Sequence, residues 1–87
     1  MIYILYRPNS EHERSVLELQ RLLERRHIKL ELIDVDTLEG ISKVKTYGIM
    51  EYPSVLAVRE SNGQSLQIWS GTLPTISDVE YYAWSSL

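Results

Sequence analysis

The chain has 87 residues, a net charge of −3, 44% hydrophobic and 24% charged residues, and no cysteine. That length suits one domain with a modest core, burying roughly 60–65% of the surface of the unfolded chain. The acidic balance argues against nucleic acid, whose phosphates demand clustered Lys and Arg, and the absence of cysteine excludes disulfides, iron–sulfur clusters, thiolate zinc sites and thiol nucleophiles in this chain.

Residues 2–6 are apolar and β-prone, and Pro8 and Asn9 end that run. Met1 leads straight into the run, so no signal peptide is expected and the cytoplasm is the expected compartment. Ser10-Glu11-His12-Glu13 matches the capping box, in which a Ser and a Glu three residues later each bond the other's backbone N–H. The box predicts a helix opening at Ser10. Val16, Leu19, Leu22 and Leu23 give it a buried stripe with Leu17 at the margin, and Arg25, Arg26 and His27 suit its negative end. Ile28, Leu30 and Leu32 alternate with Lys29 and Glu31, as in a half-buried strand. Residues 34–40 read as a polar turn, and Ile41, Val44 and Tyr47 share one face of a short helix.

A β-branched run over residues 54–59 follows. Asn62-Gly63 predicts a two-residue hairpin turn with positive φ at both positions. Leu66, Ile68 and Trp69 belong to the returning strand, and Pro74 and Thr75 break it. Ser77-Asp78-Val79-Glu80 is a second capping-box match, opening a last helix with Ile76, Val79, Tyr82 and Ala83 inward. At their spacing Tyr81, Tyr82 and Trp84 cannot all face the core, so at least one is exposed. The order is β-α-β-α-β-β-α. A parallel βαβ unit followed by an antiparallel hairpin gives a four-stranded mixed α/β sheet with helices on both faces. The apolar runs are too short for a membrane span, which needs about 20 residues.

Residues 47–58, with Pro53 before a buried strand, then Asn62-Gly63 and Gly71, resemble the corresponding stretch of a thioredoxin. Leu5-Tyr6-Arg7-Pro8-Asn9 before a helix, then Leu22-Leu23-Glu24 and Ile28, resemble the opening of a glutaredoxin. The resemblance covers nearly the whole chain and implies a thioredoxin-like fold. It sets Ser10 and Glu13 where the family carries its two catalytic cysteines, and Pro53 on the family's cis-proline. It also implies a groove formed by Tyr6, Arg7, Pro8 and Ser10 on one side, Glu51, Tyr52 and Pro53 on another, and Gly71 and Thr72 on a third. In that groove the backbone of Tyr52 faces an extended peptide or glutathione.

Thiol–disulfide exchange needs a thiolate, so the expected role is a redox-inactive, peptide- or protein-binding module with no catalytic residue, metal or cofactor. The alternative is a glutathione-binding, enzyme-like domain in which the Tyr6 or Ser10 hydroxyl steadies the thiolate and Ser77-Asp78 help hold the tripeptide. A third reading is a structural domain with no groove function. Ser10 with His12 lacks a visible third partner for a hydrolytic triad. His12 and His27 lie about four helical turns apart, too far to share an ion. Arg21, Arg25, Arg26 and Lys29 interleave with Glu18, Glu24 and Glu31, the pattern of a paired helix face rather than of a nucleic-acid patch.

Overall fold

Continuous apolar runs build the two central strands of the sheet, whose side chains are packed on both faces. In the computed structural model, which describes residues 1–85, β1 (Ile2–Tyr6) turns Ile2 and Ile4 to one face and Tyr3 and Leu5 to the other. β3 (Ser54–Val58) does the same with Val55 and Ala57 against Leu56 and Val58, and all five of its residues are buried. β2 (Leu30–Asp34) pairs with β1 in parallel, while β3 is antiparallel to β1 and to β4 (Ser65–Ser70). The sheet order is β2-β1-β3-β4. The result is a mixed α/β sheet of four strands with three helices.

Two cores lie on the two faces. Helices α1 (Glu13–Arg25) and α3 (Ile76–Ser85) cover the Ile2–Ile4 face with Val16, Leu19, Leu23 and Val79. An Arg26–Glu80 ion pair at 3.3 Å joins these helices at the surface. Helix α2 (Leu38–Tyr47) covers the Leu5–Leu56 face with Val44 and Tyr47. Ile41, expected inward with them, is 44% exposed.

The helix starts differ from the expected capping boxes. Helix α1 begins at Glu13 with His12 as N-cap and no side-chain cap. The Ser10 hydroxyl instead donates to the Arg7 carbonyl at 2.5 Å, closing the loop that leaves β1. Helix α3 is capped earlier than the Ser77 box, because Thr75 Oγ1 accepts the Asp78 N–H at 3.2 Å. Helix α2 starts inside the expected turn. Thr37 Oγ1 accepts the Gly40 N–H at 3.1 Å, and Gly40 lies within the helix.

The hairpin between β3 and β4 is longer than the expected two-residue turn. Arg59 N–H bonds Gln64 C=O and Gly63 N–H bonds Arg59 C=O, each at 2.9 Å. Gly63 alone of the Asn62-Gly63 pair has positive φ, at 72°. Asn62 instead uses its side chain, whose Oδ1 accepts the Gln64 N–H at 3.0 Å.

Candidate functional site

Parallel and antiparallel pairing together decide which residues meet at one end of the sheet. β1 and β2 run the same way, so Tyr6 pairs with Asp34 where both strands end. β3 runs the opposite way, so its first residue, Ser54, lies opposite Leu5, and Tyr52 and Pro53 enter beside Tyr6 and Arg7. β4 returns to the same end, where Ser70 pairs with Ser54 and Gly71 and Thr72 follow. Every segment expected to line the groove therefore converges on this end. The Tyr52–Pro53 peptide bond is cis.

Arg7 is the hub of this surface. Its guanidinium lies 5.9 Å from the centroid of the Tyr52 ring and 3.4 Å from the Asp36 carboxylate. Its backbone is held on both sides: its N–H donates to His12 Nε2 at 3.2 Å, and its C=O accepts from Ser10. The His12 ring meets Tyr6 edge-on at 6.5 Å. The Ser10 hydroxyl and the His12 imidazole are both turned to Arg7 rather than to each other, so they are not arranged as nucleophile and base.

Carboxylates lie near the Tyr6 hydroxyl. The Tyr6 hydroxyl is pushed above its ordinary pKa by burial first, then by the Glu13 and Asp34 carboxylates. Glu51 folds back so that its carboxylate lies against Gly71, whose φ of 76° suits glycine. The Glu51 carbonyl accepts the Ser54 hydroxyl at 2.5 Å, fixing the turn into Tyr52 and Pro53. Tyr52 itself is half-buried, and among the described residues no hydrogen bond engages its backbone N–H or C=O. An unpaired donor and acceptor on one residue, just before β3 begins, can pair with an extended chain.

Asp34 and Asp36, which read in the sequence only as turn residues, are part of this site. They belong here because β2 is parallel to β1. Asp34 Oδ1 accepts the Asp36 N–H at 2.8 Å, which aims the Asp36 carboxylate toward Arg7. The signal was available in the βαβ order, since a parallel partner of β1 must end at the same edge.

A concavity of about 650 Å³ lies to one side of these residues, between α1 and the segment joining β4 to α3. Leu19, Leu22, Leu73, Pro74 and Ile76 wall it, with Arg14 and Glu18 among its polar lining. It adjoins Glu13 and Thr72 in sequence but includes neither. Ser77 and Asp78 are exposed on the first turn of α3. No group of three or more His, Asp or Glu side chains among the described residues is placed to hold a metal ion. No described helix is long and apolar enough to cross a membrane. Comparison with protein-family models and with curated proteins finds no match for this chain.

Proposed function

We propose that this is a thioredoxin-like domain without the thiols, which holds an extended segment of a partner protein against Tyr52 at the end of its sheet. The mixed four-stranded sheet and the convergence of the Ser10, Pro53 and Gly71 segments on one end support the fold assignment. The observation that carries the binding role is the unpaired Tyr52 backbone beside the Arg7 guanidinium and the Tyr52 ring. A bound strand gains two main-chain hydrogen bonds there, and its side chains meet an aromatic wall and a carboxylate-rich rim. That rim favours a peptide carrying Lys or Arg.

Glutathione is the weaker ligand on electrostatic grounds. It carries two carboxylates, and Glu13, Asp34, Asp36 and Glu51 face it with Arg7 already paired to Asp36. Titration with glutathione is expected to leave the Tyr52, Ser77 and Asp78 amide resonances unmoved.

The test is a screen of extended peptides followed by backbone chemistry. A binding peptide is expected to lose about tenfold or more in affinity when its amide opposite Tyr52 is N-methylated, since one main-chain hydrogen bond and close approach are lost together. A peptide whose affinity ignores both N-methylation and Arg7→Glu contradicts the proposal.

A further inference from the structure

The two edges of the sheet differ in chemistry. The β2 edge is guarded by charge: Glu31 is exposed within it, Lys29 precedes it and Asp34 ends it. The β4 edge, Ser65-Leu66-Gln67-Ile68-Trp69-Ser70, contains no charged residue, no proline and no glycine. Natural sheets usually blunt an exposed edge with such residues because its free N–H and C=O groups template further pairing. The register irregularity near Ala57 and Val58 affects only the start of β4 and leaves Gln67 onward in regular pairing.

The direction of the backbone groups that face away from β3 can be read from one bond. Ile68 N–H donates to the side-chain Oε1 of its neighbour Gln67 at 3.2 Å, so it points away from β3. Alternation along an antiparallel strand then turns the Ser70 N–H outward as well. The same margin carries an aromatic ladder. Trp69 meets Tyr82 of α3 edge-on at 5.4 Å, Tyr82 meets Tyr81 at 5.0 Å, and Tyr81 is 66% exposed.

We infer that the β4 edge is a homodimer interface, in which two copies of this chain pair β4 with β4 antiparallel about a two-fold axis at Ile68. The strand is self-complementary in that register. Ile68 opposes Ile68 of the second copy, Gln67 opposes Trp69, and Leu66 opposes Ser70, with no like charges facing each other. The axis is perpendicular to the sheet, so both α3 helices stay on one face and bring their Tyr81–Tyr82 ladders toward each other. The Gln67 amide that covers Ile68 N–H in the single chain gives way to the Ile68 carbonyl of the other copy. This inference is independent of the Tyr52 site, which lies at the end of the strands rather than along an edge.

Sedimentation equilibrium of the full chain over a concentration series tests it. The expected mass is that of two chains, with the Ile68 and Ser70 amides gaining protection from hydrogen exchange as concentration rises. Ser65 and Ser70 are exposed, so S65K/S70K keeps the fold. The antiparallel register brings the start of one β4 beside the end of the other, so the double variant places like charges against each other across the interface. It is expected to weaken dimerisation about tenfold or more. Ser70→Pro removes one outward N–H without touching the ladder to β3 and has the same expected effect. A single-chain mass at every concentration, a dimer indifferent to both variants, or an edge that captures a foreign peptide on a monomeric chain would each overturn the inference.

Discussion

Ser10 and Thr37 show how much a cap depends on where a helix begins. The S-x-x-E pattern at Ser10 is a sound local signal, yet the chain spends Ser10 on the Arg7 carbonyl and starts α1 three residues later. Thr37, with no such pattern around it, makes the side-chain cap of α2. Thr37→Ala is therefore expected to cost about 1 kcal/mol. Ser10→Ala should cost less, because its hydroxyl bond is exposed and leaves no helix N–H unsatisfied. Urea denaturation of the two variants compares them directly. Tyr3 and Tyr6 hold their protons more tightly than ordinary tyrosine, through burial first and then nearby carboxylates. The folded-state pKa lies above the unfolded value of 10.0. Their stabilising contribution is thus complete below that pH and is lost as pH rises through the folded-state values. The urea midpoint should fall above pH 10.0 and fall less steeply in Y3F/Y6F. At this scale the sequence made residue types legible but not partners. Ser10, Asp34 and Asp36 all depend on which strands lie side by side.

The elements were more legible than their edges. The continuous apolar runs of β1 and β3 reflect burial on both faces of the sheet, and the Val16–Leu19–Leu23 stripe of α1 reflects burial against one of them. The start of α2 was hidden because Gly40 reads as a turn residue. Its actual reason is space: a Cβ on Gly40 would run into the Asp34 carbonyl oxygen and come within 2.8 Å of Val35 Cα. This contact packs the first turn of α2 directly onto the end of β2, the strand that delivers Asp34 and Asp36 to the site. Gly→Ala inside a helix ordinarily stabilises by up to about 1 kcal/mol. Gly40→Ala is expected to do the reverse and cost about 1–3 kcal/mol by forced displacement. It should also weaken the Arg7–Asp36 pairing. Thermal unfolding gives the sign, which is the informative quantity. The two-residue turn expected at Asn62-Gly63 is replaced by a longer loop, in which the Asn62 side chain accepts the Gln64 N–H.

For the molecule as a whole, strand direction decides which residues meet. Parallel β1–β2 and antiparallel β1–β3–β4 pairing gather an arginine, two tyrosines, a histidine and several carboxylates at one end of the sheet. The mixed topology followed from the order of elements. The concavity between α1 and the Leu73–Ile76 segment did not, since Leu22 and Leu73 belong to different elements and only their packing shows that they face one another. The chain has no cysteine, so thiol–disulfide exchange is closed to it. The central claim, that an extended chain docks on the Tyr52 backbone, is tested most directly by amide chemical-shift mapping with Lys- and Arg-containing peptides. Progressive shifts centred on Tyr52 and Arg7, reduced when Glu replaces the peptide's Lys and Arg, are the predicted result. Shifts confined to Arg14, Leu22 and Ile76, with Tyr52 and Arg7 silent at saturation, would contradict it.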